Sequence, residues 1–189
     1  MNKAVFLDRD GVINQKPKEG EYVTSWDDFH ILPGVADGIA LLNSAGYVVI
    51  VVTNQRCVAK GLLSILGLEK MHEQMSQSLL RASAKLDAIY YCPHDYEPSC
   101  TCRKPAPGML LEAARVHGID LGSSWMIGDS DIDMQAGVNA GCKTARVRSK
   151  SGISGHVDIT ASSLLDSVRQ ILEWDAKPRI DVAKRKVIA

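Results

Sequence analysis

Apolar runs of strand length alternate along the chain with stretches of helical periodicity. The β-branched run at 47–52 is the clearest, because an uninterrupted apolar run is typical of a parallel strand that is covered on both faces. The apolar runs predict five strands, over 4–7, 47–52, 86–91, 124–127 and 143–148. The amphipathic stretches predict five helices, over about 33–45, 62–85, 107–117, 131–140 and 161–174.

This order of elements predicts the fold class. Strands that alternate with helices along a whole chain are typical of α/β proteins, in which helices cover both faces of a mostly parallel sheet. The sequence therefore predicts a three-layer, Rossmann-like α/β sandwich. In such sheets ligands bind outside the carboxyl ends of the strands, so the residues that follow each strand are the first candidates for a site.

Glycine and aspartate mark the predicted helix ends. Gly46, Gly118 and Gly141 follow three of the helices and are predicted to end them. Asp131 is predicted to cap the start of the fourth helix. The second helix is predicted to turn five apolar side chains towards the core, namely Leu66, Met71, Met75, Leu79 and Leu80. The polar stretch at 15–30 predicts a loop or flap beside the first strand.

Length and composition limit the class of protein. The 189 residues predict one domain over 1–174 and a basic tail over 175–189, with a serine- and glycine-rich loop at 149–156. Lys+Arg and Asp+Glu number 22 each, which argues against binding to nucleic acid or a membrane surface. No apolar stretch reaches the length of a membrane span and no signal peptide is recognised, so we expect a cytoplasmic protein. We also expect a monomer.

Two carboxylates follow the first predicted strand directly. Asp8 and Asp10 stand two positions apart, and a near-extended backbone puts such side chains on the same side of the chain. Gly11 allows a sharp turn after them. Because neighbouring carboxylates repel each other, they need a cation or a shared proton, and Mg²⁺ suits a few carboxylates combined with a phosphate. A solvated Asp-Gly turn is the alternative interpretation.

Polar residues also follow the other predicted strands. Thr53 and Asn54 follow the second strand, Lys104 comes after the third and Asp129 follows the fourth. Because the carboxyl ends of parallel strands share one edge, we expect these side chains to meet Asp8 in one crevice. Taken singly, Thr53 can also be an ordinary strand-end hydroxyl, and Lys104 an ordinary surface lysine.

These residue types suit phosphate chemistry. Asp8 can attack phosphorus as a nucleophile, and Asp10 can protonate the leaving oxygen and later deprotonate water. Asp129 can supply a further carboxylate to the metal ion. Lys104 can offer a positive charge, and Thr53 a hydroxyl hydrogen bond, to the phosphoryl oxygens.

Three cysteines and one histidine form a compact group after the third strand. Cys92, His94, Cys100 and Cys102 offer three thiolates and an imidazole, which is the ligand set of a closed, structural zinc site. A disulfide between Cys100 and Cys102 would be strained at this spacing. We therefore expect a zinc-binding loop that stabilises the segment following it and takes no part in the chemistry.

Arg103 follows this loop directly. It can form bidentate bonds to a second phosphate or to another anionic group, and a salt bridge within the loop is the alternative. Cys57 and Cys142 lie outside the cysteine group and are predicted to be packing residues.

Four motifs together resemble a known family. The chain resembles the haloacid dehalogenase-like phosphatases in four motifs, which are, in order, Asp8-x-Asp10-Gly11, Thr53, Lys104 and Gly128-Asp129-x-x-x-Asp133. The resemblance implies that Asp8 is the nucleophile and Asp10 the acid/base, and that Asp129 and the backbone carbonyl of Asp10 help to hold Mg²⁺. Asp133 is expected mainly to support the loop or the helix start. Since no large insertion separates the motifs, we expect no cap domain.

Longer segments resemble one group within this family, the heptose-bisphosphate phosphatases. The similar segments are 6–14, 53–55, 91–94 and 102–109, and the resemblance runs over about 3–148. It implies a Mg²⁺-dependent phosphatase that acts on a small sugar phosphate through an aspartyl-phosphate, and it supports the zinc loop.

Substrate contacts are expected from Asn54, Arg56 and Arg103. The group usually carries serine and glycine where this chain has Arg56 and Cys57, so substrate fit depends on an unusual side chain. Ser130 is a second departure, because some relatives carry a lysine there.

Two other functions stay open from the sequence. A histidinol-phosphate phosphatase has the same kind of zinc loop, although the continuation Pro107-Gly108-Met109 favours the heptose group. A zinc-loop binding module without catalysis is the alternative from another class of protein. The complete set of carboxylates and the neutral net charge disfavour it.

Overall fold

The computed structural model describes residues 1–96, 100–147 and 157–177. The strands are Ala4–Leu7 (β1), Val48–Asn54 (β2), Ala88–Cys92 (β3), Trp125–Gly128 (β4), Lys143–Val147 (β5) and Ile159–Ala161 (β6). The α-helices are Val35–Ser44 (α1), Ile65–Arg81 (α2), Gly108–His117 (α3), Asp131–Ala140 (α4) and Leu164–Ala176 (α5). The predicted loop at 149–156 and the tail beyond 177 lie outside the described residues.

The six strands form one sheet in the order β3-β2-β1-β4-β5-β6, and all neighbouring strands are parallel. β1 lies inside the sheet, where Leu7 pairs with Val51 of β2 and with Ile127 of β4. The chain first builds the sheet outwards to β3 and then continues on the other side of β1, which makes β1 a topological switch point. A crevice opens there at the carboxyl ends of the strands.

Helices cover both faces of the sheet. α1, α2 and α5 pack on one face, and α3 and α4 on the other. Because successive side chains of a strand point to opposite faces, β1 gives Val5 and Leu7 to one core and Ala4 and Phe6 to the other. The predicted three-layer α/β sandwich is confirmed. None of the helices in the described ranges is long and apolar enough to cross a membrane.

The buried face of α2 differs from the predicted one. Leu66 and Leu80 are 75% and 61% exposed, so the prediction that they face the core was wrong. Leu68 is buried instead, because it falls on the helical stripe that meets the sheet. The predicted core residues that are buried are Met71, Met75 and Leu79.

Ser130, and not the predicted Asp131, caps α4. Its backbone nitrogen donates to Oδ2 of Asp133 at 3.1 Å, and its hydroxyl donates to the same oxygen. Ser130 has the extended backbone of a cap residue, with φ −127° and ψ 160°. Asp131 already lies in the helix and pairs with Arg146 of β5.

The strand β6 was not predicted, and α5 begins at Leu164 where the sequence suggested 161. Three residues are too few to show an alternating pattern, although Ile159 and Ala161 are buried on either side of an exposed Thr160. The helix continues to Ala176, beyond the predicted domain end at 174.

The predicted flap at 15–30 is tied to the fold at both ends. Gln15 N donates to His30 O at 2.8 Å, which closes the base of the loop. Trp26 and Phe29 stack at 5.1 Å between ring centres and pack against the core. Because the loop leaves the carboxyl end of β1, it borders the crevice.

Candidate active site

One cavity at the carboxyl end of the sheet collects most of the predicted site residues. It has a volume of about 210 Å³. The predicted residues that line it are Asp8, Asp10, Thr53, Asn54, Arg103, Lys104 and Asp129. The remaining lining residues are Lys16, Ser130, Ile132 and Asp133. The switch point thus brings distant parts of the chain into one polar cavity, but Arg56 does not line it.

A buried ammonium group lies at the centre of the site. Lys104 Nζ is 2.7 Å from Asp8 Oδ1 and 2.6 Å from Asp133 Oδ1. It also donates to the backbone oxygen of Val52 at 2.8 Å. Since an ammonium has three hydrogens to donate, these three contacts use all of them. Lys104 therefore fixes the position of Asp8 relative to β2 and α4.

Asn54 holds the backbone of Lys104. Its Oδ1 accepts from Lys104 N at 3.0 Å, and its Nδ2 donates to Lys104 O at 3.1 Å. This pair of bonds ties the loop before α3 to the end of β2. The amide of Asn54 is thus engaged with Lys104, and its predicted contact with the substrate stays a prediction.

Burial raises the pKa of Asp8 from 3.8 to about 7. The charges of Asp133 and Asp10 act in the same direction, whereas Lys104 opposes them. Burial would lower the pKa of Lys104, but the charges of Asp133 and Asp8 outweigh it and raise that pKa above its ordinary value. Two carboxylates around one ammonium carry an excess negative charge, so a further cation would favour the ionised form of Asp8.

The carboxylate of Asp10 has its own set of donors. Arg9 Nη2 lies 3.0 Å from each of its oxygens. Asn14 Nδ2 donates to Oδ1 at 2.9 Å, and Gln55 Nε2 donates to Oδ2 at 3.2 Å. The sequence suggested that a cation or a shared proton between Asp8 and Asp10 would relieve their repulsion. For Asp10 the structure supplies a cation from the chain itself, because the fully buried Arg9 pairs with this carboxylate.

Gln55 also orients Thr53. Its Nε2 donates to the Thr53 hydroxyl oxygen at 2.8 Å, so the hydroxyl accepts there and its own hydrogen can go to another group. On its other side, Gln55 Oε1 lies 3.6 Å from the sulfur of the buried Cys57. Thr53 is buried at the end of β2 and lines the cavity, and its hydrogen bond to a phosphoryl oxygen stays a prediction.

Three carboxylates form a group that could hold a metal ion. Oxygen atoms of Asp8, Asp129 and Asp133 lie within 4.8 Å of one another. Gly11 allows this approach, because a Cβ there would lie only 2.4 Å from Asp129 Oδ2. Oxygen ligands of this kind fit Mg²⁺. The side chain of Asp10 is not in the group, so its predicted metal role rests on its backbone carbonyl.

Lys16 closes the outer side of this group. Its Nζ donates to Asp129 Oδ2 at 2.7 Å from the flap. Burial raises the pKa of Asp129, and the hydrogen bond and charge of Lys16 oppose that effect. The flap therefore adds a positive charge to the edge of the cavity.

The four predicted zinc ligands lie together. The sulfur of Cys100 is 3.6 Å from that of Cys92 and 3.4 Å from that of Cys102. Nδ1 of His94 lies 3.4 to 3.6 Å from the three sulfurs. These sulfur–sulfur distances exceed the length of a disulfide bond, which is about 2.05 Å. A tetrahedron with Zn–S bonds of about 2.3 Å has S···S edges of about 3.8 Å, so the group fits a tetrahedral metal ion.

Two arginines contact the ring of one tyrosine beside this group. The guanidinium carbons of Arg103 and Arg56 lie 4.5 Å and 4.3 Å from the ring centre of Tyr96. Arg103 Nη1 donates to His94 O at 3.1 Å, and Arg56 pairs with Asp95. Arg103 thus reaches the cavity from the Cys/His loop, whereas Arg56 does not line the cavity. The predicted contact of Arg56 with the substrate stays a prediction.

Comparisons with known proteins show the family to which the chain belongs. A family profile described as "HAD-hyrolase-like" matches residues 101–170. The chain is 39% identical over 175 residues to the D-glycero-beta-D-manno-heptose-1,7-bisphosphate 7-phosphatase of Haemophilus influenzae, covering 89% of this chain and 94% of that protein. It is also 39% identical over 177 residues to the protein of the same name from Escherichia coli, covering 89% and 91%.

A solved structure is similar over nearly the whole chain. The crystal structure of D,D-heptose 1,7-bisphosphate phosphatase from B. bronchiseptica, complexed with magnesium and phosphate, has a TM-score of 0.83 and 34% identity. The match covers 91% of this chain and 99% of that one. The chain belongs to the haloacid dehalogenase-like phosphatases.

Sequence reasoning missed the residues that support the site. Arg9, Asn14 and Gln55 lie inside the recognised motifs, but nothing in their spacing shows that all three hold Asp10. Lys16 carried no signal, because a lysine in a polar loop is usually solvated. Only the closure of the flap places it beside the carboxylates.

Because the pKa of Asp8 is raised, we expect this carboxyl group to lower the stability of the fold by an amount that depends on pH. The unfolded chain releases the Asp8 proton near pH 4 and the folded chain near pH 7, so Asp8 makes the fold progressively less stable as pH rises through this window. Without added Mg²⁺ at pH 8, we expect Asp8→Asn to increase the free energy of unfolding by more than about 1 kcal/mol. The gain should shrink towards pH 5. Denaturant unfolding at both pH values measures it.

Asp27→Asn is the matched control, since it removes a carboxylate from an exposed position of the flap. A wild type that is as stable as Asp8→Asn at pH 8 would show that the site carries no excess charge.

Proposed function

We propose that the chain removes the 7-phosphate of D-glycero-D-manno-heptose 1,7-bisphosphate in a Mg²⁺-dependent reaction through an aspartyl-phosphate, in ADP- or GDP-heptose synthesis. The observation that carries the proposal is the buried Asp8, oriented by Lys104 at 2.7 Å and sharing one cavity with Asp10 and Asp129. The names of the relatives support the substrate, and specify its beta anomer. The proposal includes a monomer working in the cytoplasm.

The reaction proceeds in two steps on Asp8. The free oxygen of the ionised Asp8 attacks phosphorus, and Asp10 enters this step protonated. The bond from phosphorus to the sugar oxygen breaks while Asp10 gives that oxygen its proton. Asp10 then removes a proton from water, the water oxygen attacks phosphorus, and the bond to Asp8 breaks. Phosphate leaves and both carboxylates return to their starting states. Lys104 and the Thr53 hydroxyl stabilise charge on the phosphoryl oxygens.

Magnesium would be held by Asp8 and Asp129, with the backbone carbonyl of Asp10. Once bound, it supplies positive charge that keeps Asp8 ionised and neutralises the phosphate. Asp133 is expected to stay with Lys104 and Ser130, which already contact both of its oxygens.

Zinc is the metal that we propose for the Cys/His loop. Three thiolates and one imidazole fill all four positions of a tetrahedral ion, so no position remains for water and the site is structural. Its effect on the reaction is indirect. Zinc bound there would hold His94 in place, and the His94 carbonyl oxygen accepts a hydrogen bond from Arg103.

The first prediction concerns the substrate. Phosphate release should be fastest with a heptose 1,7-bisphosphate, compared as both anomers with histidinol phosphate and simple sugar phosphates. Asp8→Asn should lower turnover by several orders of magnitude, because it removes the attacking oxygen anion. If histidinol phosphate is the best substrate, the chain is the related histidinol-phosphate phosphatase. Phosphatase activity in Asp8→Asn near that of the wild type would contradict the covalent mechanism.

The second prediction concerns zinc. Protein purified without chelators should contain close to one zinc per chain, and turnover should still require added Mg²⁺. Cys→Ser changes at Cys92, Cys100 or Cys102 should reduce both the zinc content and the melting temperature, because the ion contributes to folding. Cys142→Ser is the matched control, since this buried thiol lies outside the group. Elemental analysis without zinc would overturn the assignment.

The third prediction concerns the second phosphate of the substrate. One phosphate lies on Asp8, and Arg103 at the cavity edge is the proposed partner of the other. Loss of a charged hydrogen bond costs about 1.5–3 kcal/mol, so Arg103→Ala should lower kcat/KM for the bisphosphate roughly tenfold to hundredfold. A monophosphate should be affected much less, while Arg56→Ser should mainly change the preference between anomers.

Arg115→Ala removes the same charge from the exposed surface of α3 and serves as the control. If Arg103→Ala lowers kcat/KM equally for the bisphosphate and the monophosphate, Arg103 acts on the transferred phosphate or on the conformation of the loop.

A further inference from the structure

Behind the cavity, His72 of α2 contacts the arginine that holds Asp10. His72 Nε2 lies 3.2 Å from Arg9 Nη1. Both side chains are buried, with His72 4% and Arg9 0% exposed. Met71 Sδ lies 4.0 Å from the same nitrogen, and the ring of Phe29 faces the guanidinium at 5.6 Å. The guanidinium is therefore enclosed between α2, the flap and Asp10.

The two edges of this guanidinium have different partners. Nε and Nη2 lie 3.2 Å and 3.0 Å from Asp10 Oδ1, whereas Nη1 meets His72. Because arginine can only donate, His72 Nε2 must accept, and the ring proton is then on Nδ1. Burial, together with the charge of Arg9, lowers the pKa of His72 to about 3, which is consistent with a neutral acceptor.

We propose that His72 is a positioning residue for the acid/base carboxylate, acting through Arg9. The guanidinium is planar, so a hydrogen bond at one edge fixes the direction of the edge that binds Asp10. Without the acceptor, a buried donor is left unpaired and the guanidinium turns to find another partner. Asp10 then moves relative to the leaving oxygen. The inference rests on the proposed function, because it takes Asp10 as the group that transfers the proton.

The choice of leaving group separates this role from a general effect on the fold. A sugar alkoxide leaves only if it receives a proton, whereas p-nitrophenolate is stable without one. For both substrates kcat/KM reports the steps up to formation of the aspartyl-phosphate. A displaced Asp10 therefore lowers kcat/KM for the sugar phosphate but leaves kcat/KM for p-nitrophenyl phosphate nearly unchanged. A distorted fold lowers kcat/KM for both substrates.

The test compares variants of His72 on these two substrates. His72→Phe keeps a ring but removes the acceptor, and should lower kcat/KM for the heptose bisphosphate about tenfold to hundredfold. The value for p-nitrophenyl phosphate should stay within about threefold. His72→Gln offers an acceptor oxygen and should recover most of the loss. Met75→Leu, a conservative change at a buried position on the same helix, is the control and should leave both values near those of the wild type.

Asp10→Asn distinguishes failure of this inference from failure of the proposed function. If Asp10→Asn lowers kcat/KM equally for both substrates, Asp10 is not the acid and the proposed function is wrong in that respect. A different outcome is that Asp10→Asn lowers kcat/KM only for the heptose bisphosphate, while His72→Phe lowers kcat/KM for both substrates or for neither. In that case the positioning role is overturned and the proposed function stands. The role is also overturned if His72→Gln behaves like His72→Phe. Should His72→Phe fail to fold by circular dichroism, His72→Leu is measured against the same criteria.

Discussion

The buried ammonium of Lys104 is the interaction on which the site depends. It connects Asp8 after β1, the backbone of Val52 in β2 and Asp133 in α4, which are far apart in the sequence. Two buried carboxylates facing each other without this charge would be costly, because neither could be solvated. The parallel sheet brings the strand ends together, and the charge of Lys104 opposes the rise in the pKa of Asp8 that burial causes. Asn54 supports the arrangement by holding the Lys104 backbone.

Two carboxylates two positions apart acquire different properties from their partners. Asp8 is buried and shares one ammonium with Asp133, and burial together with the charges of Asp133 and Asp10 raises its pKa. Asp10 instead binds Arg9, Asn14 and Gln55, which orient it without closing it off from the cavity. Such a difference in environment would allow one site to hold the proposed nucleophile, Asp8, beside the proposed acid/base, Asp10.

The site is built on the rigid edge of the sheet, whereas the residues that border it lie on loops. Lys16 comes from the flap, whose base is closed by hydrogen bonds and whose aromatic residues pack on the core. Arg103 comes from the Cys/His loop, where its guanidinium and that of Arg56 both lie over the ring of Tyr96. Loops of this kind can vary in sequence without disturbing the buried ion pairs. We therefore expect substrate specificity to depend on the loop side chains.

The sequence by itself determined the class of fold and the place of the chemistry. Continuous apolar runs form parallel strands because both faces are covered, and the polar residues after them meet because parallel strands end at one edge. The sequence did not reveal the three-residue β6 or the exposure of Leu66 and Leu80, since short patterns are ambiguous and the buried stripe of a helix depends on its docking. It also could not show that Arg9 pairs with Asp10 or that Lys16 reaches Asp129. Only the tertiary structure decides which charges become neighbours, because ion pairs depend on distances between side chains that the order of residues does not contain.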